Sequence, residues 1–210
     1  MTETVLIADD HPLFRQALML AVQRVLPDAR IAEAGTLAAA ARAVEAAEGL
    51  RLILLDLKMP GAVGYSGIAL LHAERPDVPI LVVSSAEGTA AADEVRAFGA
   101  IGFLRKDSDL GAIEDAIARA IQAQPPASAP VPDDQPIAAI RETVAGLTPT
   151  QLKVLLAVLD GQLNKQIAHS LGMSEATVKA HMTAIMRKLD VRNRTQAALV
   201  ARSLGLDLRH

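Results

Sequence analysis

The stretch Leu52-Ile53-Leu54-Leu55-Asp56-Leu57-Lys58-Met59-Pro60-Gly61 decides the fold. Four apolar residues in a row follow an alanine-rich helical segment and are closed by a Pro-Gly turn signal, the pattern of a strand buried on both faces. A carboxylate stands where that strand ends. In an open α/β sheet the ligand crevice lies outside the carboxyl ends of the strands, so such a strand delivers Asp56 to the place where these folds do chemistry. Taken alone, Asp56 could equally cap a loop; the other strand ends decide between the two.

Working outward from that strand, Val5-Leu6-Ile7-Ala8 reads as a buried strand ending in Asp9-Asp10. Pro12 then opens a helix to about Leu26, with Leu13, Ala17, Leu20 and Ala21 at helical spacing. Ala29 to Ala34 is a short alternating strand, and Thr36 caps a helix that ends near Gly49. Beyond Asp56 the spacing predicts a helix through Ile68, Leu70 and Leu71 that stops before Pro76, a strand Ile80 to Ser84, and a helix from about Thr89 to Phe98. A strand Gly102 to Lys106 follows, and Ser108 is the expected cap of a helix to about Ala123. Five strands alternating with five helices make a parallel, doubly wound α/β sheet.

Residues 124–136 include Pro125, Pro126, Pro130, Pro132 and Pro136 among Ala, Ser and Asp, a semi-extended linker that cannot join a core. A short helix, Ile137 to Val144, follows it. The expected division is residues 1–123, a linker at 124–146, and residues 147–210. Charge divides the same way: residues 1–123 carry 11 Lys and Arg against 17 Asp and Glu, whereas residues 147–210 carry 9 against 4. An acidic first part and a basic last part point to two jobs, the second with a polyanionic partner. Three Phe, one Tyr and no Trp leave no base-stacking platform. The absence of Cys excludes disulfides, thiolate catalysis and Cys-ligated metals. The five His are scattered without ligand spacing. Charges interrupt every apolar run, so a cytoplasmic protein without a membrane partner is expected.

From Leu147 onward the pattern is all helical. Thr148-Pro149-Thr150-Gln151 is a capping box opening a helix to about Leu159. Gly161 ends it, and Asn164 is the expected cap of the next helix. Gly172-Met173-Ser174 is a tight turn into a long basic helix to Leu189, and a last helix runs from about Arg194 to Leu204. Two helices joined by a short Gly-containing turn form the helix-turn-helix pattern. On the long helix Val178, Met182, Ile185 and Leu189 fall on one stripe and face the core. The other side then shows Ala176, Lys179, Ala180, Thr183, Ala184 and Arg187, small residues that allow close approach and cations that reach phosphates or base edges. On the last helix Ala197, Val200, Ala201 and Leu204 share the core face, leaving Leu199 opposite with Arg202 nearby.

In the first part, strand ends gather Asp9, Asp10, Asp56, Ser84 and Lys106 at one edge of the sheet. Three carboxylates that close repel one another unless a cation neutralises them, and an oxygen-only cluster suits Mg²⁺. Asp56 is then a candidate nucleophile toward phosphorus, with Lys106 and the Ser84 hydroxyl balancing charge on the phosphoryl oxygens. Together with Met59-Pro60-Gly61 and Phe103, these residues resemble the signature of bacterial two-component receiver domains, a flavodoxin-like fold. The resemblance implies that Asp56 accepts a phosphoryl group from a sensor histidine kinase, that Asp9, Asp10 and Asp56 surround Mg²⁺, and that Ser84 and Phe103 form the switch. Two departures stand out: Lys58 is a cation two residues after the acceptor, expected to alter the lifetime of the acyl phosphate, and Ala86 is apolar where some relatives are polar.

In the last part, Leu147-Thr148-Pro149, Asn164 to Ala168, Ser174 to His181 and Lys188 to Thr195 resemble the four-helix DNA-binding domain of the LuxR/NarL class. The resemblance implies that Lys179 and its neighbours Ala180, Thr183 and Arg187 enter the major groove of promoter DNA while Asn164, Lys165, Thr177 and His181 lie near phosphates. It also makes Leu199 and Arg202 the candidate dimer contact, with RNA polymerase a further partner. Gln151 and Gln166 stand where the family usually has Glu, which puts intradomain ion pairs in question. The expected function is a NarL/FixJ-type response regulator, not an enzyme, whose homodimer binds DNA on phosphorylation. The alternatives are a regulator whose receiver works without phosphate, and a haloacid-dehalogenase-like phosphohydrolase. That enzyme class wants an acid where Lys58 stands.

Overall fold

The computed structural model describes residues 3–62, 64–85, 94–96, 98–123, 146–203 and 206. Apolar runs at β1 (Thr4–Ala8), β3 (Leu50–Leu55) and β4 (Ile80–Ser84) form the buried middle of a sheet, flanked by β2 (Arg30–Ala34) and β5 (Gly102–Arg105). The order is β2-β1-β3-β4-β5, with every pairing parallel. Because side chains alternate across a strand, the sheet buries two separate apolar layers. Val5, Ile7, Leu52, Leu54, Leu81, Val83 and Leu104 pack with α1 (Pro12–Val25) and α4 (Leu110–Gln122). Leu6, Ala8, Ile53, Leu55, Ile80 and Val82 pack with α2 (Leu37–Ala46) and α3 (Ser66–Glu74).

Local chemistry sets the helix ends. Ala39 N–H donates to Thr36 Oγ1 at 3.1 Å, so Thr36 caps α2 as expected. The cap of α4 is Asp109, not Ser108: Asp109 Oδ1 accepts from Ala112 N–H at 2.8 Å, while Ser108 N–H closes a turn onto Arg105. An aspartate there also sets a negative charge at the positive end of the helix. On α1 the buried face is Leu18, Ala21 and Val22, with Leu13 81% and Leu20 45% exposed. Two apolar stripes fit the helical period, and the one that also carries Phe14 and Val25 takes the core. Glu94 to Arg96 are helical. The remainder of the expected helix Thr89 to Phe98, together with the linker and the helix Ile137 to Val144, lies largely outside the described residues.

The last part of the chain contains α5 (Pro149–Leu159), α6 (Asn164–Ser170), α7 (Glu175–Lys188) and α8 (Arg194–Ser203). The capping box is present: Gln151 N–H donates to Thr148 Oγ1 at 3.3 Å, and Thr148 N–H to Gln151 Oε1 at 3.1 Å. Asn164 does not cap α6. It is the first helical residue, Leu163 holds the cap position, and Gln166 Oε1 reaches back to Leu163 N–H at 2.7 Å. Gly172, at φ 64°, makes the left-handed turn from α6 toward α7, and Ser174 caps α7. Val178, Met182, Ile185 and Leu189 are buried, as their stripe predicts, with Ala197 and Ala201 of α8. Val200 is half-buried, and Leu204 lies outside the described residues. Helix α3 packs against α5, and Lys153 Nζ meets Glu74 Oε1 at 2.6 Å.

Asp109→Ala is expected to cost about 1 kcal/mol in urea unfolding, the usual worth of a helix cap. Ser108→Ala is expected to stay within about 0.5 kcal/mol, as surface changes do; equal losses would return the cap to Ser108.

Candidate functional site

Two backbone bonds assemble the acidic site. Asp56 N–H donates to Ala8 C=O at 2.8 Å, which fixes the end of β3 beside the end of β1 and so sets Asp56 next to Asp9. Lys106 N–H donates to Ser84 C=O at 3.0 Å, which sets the end of β5 against that of β4. From there the Lys106 side chain reaches back across the crevice, with Nζ 2.6 Å from Asp9 Oδ2 and 2.8 Å from Asp56 Oδ2. Both carboxylates are almost wholly buried, at 1% and 2% exposure. The Phe14 ring covers the ammonium at 4.9 Å.

The two buried acids are held from below by main-chain donors. Asp9 Oδ1 accepts from His11 N–H at 2.8 Å, and Asp56 Oδ1 accepts from Lys58 N–H at 3.0 Å. Arg15 donates to Asp9 C=O at 2.7 Å and pairs with Glu33. Burial alone would lower the pKa of Lys106, but its hydrogen bonds and charge attraction to Asp56 and Asp9 outweigh it and raise the value. Lys106 is therefore an ammonium throughout the neutral range.

One ammonium does not balance three carboxylates. Asp10 Oδ1 is buried without a hydrogen bond, and Asp9 Oδ2 has only the ion pair with Lys106. One donor atom from each of Asp9, Asp10, His11 and Asp56 lies within 4.8 Å of all the others, a cluster that fits a divalent cation. The five His are scattered along the sequence, but His11 stands directly after the acidic pair, and the adjacency Asp9-Asp10-His11 is the signal for its place in this cluster. Phe14 and Ser85 also line the crevice, with Leu13, Ala17 and Lys58. Ser84 is fully buried at the end of β4, and Phe103 is half-buried on β5 against the layer that holds α2 and α3. Ala86 lies outside the described residues.

The second site is the outer face of α7. Thr177, Lys179, Ala180, Thr183 and Arg187 are exposed, and His181 is partly so. The Thr183 hydroxyl donates to Lys179 C=O at 3.0 Å. Lys165 is exposed on α6, whereas Asn164 is half-buried, its Oδ1 accepting from Arg194 at 2.9 Å. Arg194 also donates to Gln162 C=O, and so ties α8 to the start of α6. Where a Glu would form an ion pair, Gln151 Oε1 accepts a hydrogen bond from Lys188 Nζ at 2.8 Å. Gln166 serves as a cap. Neither substitution disturbs the fold. On α8 Leu199 is 59% exposed and Arg202 is exposed.

A five-stranded receiver sheet with an acidic crevice, joined to a helix-turn-helix, defines the class of protein. Residues 5–118 match the response regulator receiver domain, and residues 145–201 match the bacterial regulatory proteins of the luxR family. The chain belongs to the NarL/FixJ family of two-component response regulators, DNA-binding proteins that regulate transcription. It is 37% identical over 207 residues to the glycerol metabolism activator of Pseudomonas putida, with 94% of each chain covered. It is 32% identical over 202 residues to the nitrate/nitrite response regulator NarP of Escherichia coli, with 93% of each covered. The structure of RcsB from Salmonella typhimurium shares the fold at 21% identity and a TM-score of 0.51, covering 98% of this chain and all of that one. No described helix is long and apolar enough to cross a membrane.

Lys106→Ala leaves Asp9 and Asp56 buried without their cation and is expected to cost about 3 kcal/mol in urea unfolding with EDTA present. The raised pKa fixes the pH window: the contribution holds through neutral pH and disappears as pH rises through the elevated value. A loss under about 1 kcal/mol would mean that the ammonium does not hold the site together.

Proposed function

We propose that a sensor histidine kinase phosphorylates Asp56 and thereby controls dimerisation and promoter binding, with residues 1–123 as receiver, 124–146 as linker and 147–210 as DNA-binding domain. The observation that carries this reading is the Asp56 carboxylate, buried at the end of β3, 2.8 Å from Lys106 and open to the crevice between β1 and β5. In the transfer, an Asp56 oxygen attacks the phosphorus of a phosphohistidine, a P–O bond forms as the P–N bond breaks, and the imidazole leaves with the electron pair and takes up a proton. Lys106 pairs with the phosphoryl oxygens; Asp9, Asp10 and Asp56 would hold Mg²⁺, which would supply further positive charge beside them. Leu13, Ala17 and Leu20 present an apolar stripe on α1 beside the acceptor, suited to a helix of the kinase. Lys58 lines the same crevice, where a hydrolysing water must pass.

The new dianion offers charge-assisted hydrogen bonds to Ser84, and the vacated space lets Phe103 turn inward, the two-state element of the switch. On DNA, Lys179, Ala180, Thr183 and Arg187 meet base edges and phosphates in the major groove while Asn164, Lys165, Thr177 and His181 approach the backbone. Leu199 and Arg202 form a self-complementary contact between two copies. A promoter-bound dimer in the cytoplasm addresses RNA polymerase. The protein turns over no external substrate: it is a stoichiometric switch.

Beryllofluoride with Mg²⁺ is expected to drive dimerisation and tighten binding to a genomic DNA pool for wild type but not for Asp56→Ala; tight binding indifferent to both would sink the phosphoswitch. In mobility-shift titrations at several salt concentrations, Lys179→Ala is expected to weaken binding and reduce the salt slope by about one, the signature of a lost phosphate contact. An unchanged slope would place Lys179 away from the backbone.

A further inference from the structure

His11 occupies the N-cap position of α1, where a polar side chain ordinarily bonds to the first turn of the helix. Its imidazole makes no such bond. Instead the ring turns into the acidic crevice: Nδ1 lies 2.7 Å from Asp10 Oδ1, 3.4 Å from Asp9 Oδ1 and 4.0 Å from Asp56 Oδ2. The shortest of these is within ion-pair distance of the Asp10 carboxylate, and Lys106 Nζ lies 3.5 Å from the same ring nitrogen. A ring nitrogen turned toward three carboxylates at these separations can offer its lone pair to a cation that they share. The 4.8 Å limit on the separations within the cluster is also what a single coordination sphere allows, because two donors at about 2.0–2.4 Å from one cation cannot be further apart.

We propose that His11 Nδ1 is the fourth ligand of the acidic pocket and tilts its selectivity from Mg²⁺ toward first-row transition cations such as Mn²⁺ and Co²⁺. This rests on the reading of the pocket as a cation site. The chemistry follows from donor type: Mg²⁺ prefers all-oxygen coordination and keeps its waters, whereas an imidazole adds the donor that follows the Irving–Williams order. Asp9, Asp10 and Asp56 alone would make a magnesium site; with His11 the set becomes one nitrogen and three oxygens. The ring is 65% exposed on its outer side, so replacing it opens no cavity in the core.

The test uses the full-length protein with Mn²⁺ as the probe, read by pulsed electron paramagnetic resonance and by calorimetric titration against Mg²⁺. A ¹⁴N coupling to bound Mn²⁺ is expected in wild type and not in His11→Ala. Mn²⁺ affinity is expected to fall by about tenfold or more in that variant, the scale on which ligand-shell changes act, while Mg²⁺ affinity falls less. Bound Mn²⁺ without a ¹⁴N coupling, a coupling that survives in His11→Ala, or equal losses for the two ions would overturn the role of His11. Asp10→Asn separates this outcome from failure of the pocket itself: Mn²⁺ binding unchanged in that variant would put the cation elsewhere.

Discussion

The ammonium of Lys106, held between two buried carboxylates, is the interaction on which the site depends. Asp9 and Asp56 are brought side by side because β1 and β3 are parallel neighbours, and parallel strands end at the same edge of a sheet. One backbone N–H to each carboxylate offsets the repulsion this creates only in part. The compensating charge comes from β5, beyond the intervening β4, so the sheet must be stiff enough to hold a lysine stem across that gap. Two tightly packed aliphatic layers supply the stiffness, with hardly any aromatic side chains involved.

The site is therefore poised rather than relaxed. One cation too few leaves Asp10 Oδ1 buried without a hydrogen bond and Asp9 Oδ2 with only the shared Lys106 ammonium, a cost that a bound metal would reduce. The same shortage prepares the acceptor for a dianionic phosphoryl group only when extra positive charge has arrived. A metal in the crevice and a phosphoryl group on Asp56, as proposed, would thus be coupled through charge balance before any loop moves.

Much of this was legible in the sequence because it rests on strong local signals. Continuous apolar runs fix the buried strands, and the residue after each run lands at the crevice, so Asp9, Asp56 and Lys106 follow from the pattern. The stripe Val178, Met182, Ile185 and Leu189 likewise has one helical reading. What failed was choice between near-equivalents. Ser108 and Asp109 both cap helices, and only the path of the turn from β5 decides. Asn164 looked like a cap because the backbone shift that gives Leu163 that position leaves no residue-type signal. On α1 two stripes share the helical period, and the packing of Phe14 against the sheet settles which is buried. His11 has no signal of its own in the sequence beyond its place next to two acids.

The contact between Lys153 and Glu74 carries a consequence for the thermodynamics of operator binding. Because the basic and acidic parts share one chain, the basic part has an anionic partner at a local concentration in roughly the millimolar range. DNA that draws the basic part away from the acidic one would first have to break the Lys153–Glu74 pair. Each ion pair exchanged in this way releases fewer counterions than the charging of a bare lysine. Occupancy of an operator by the intact chain would accordingly depend on ionic strength less steeply than the number of its phosphate contacts implies.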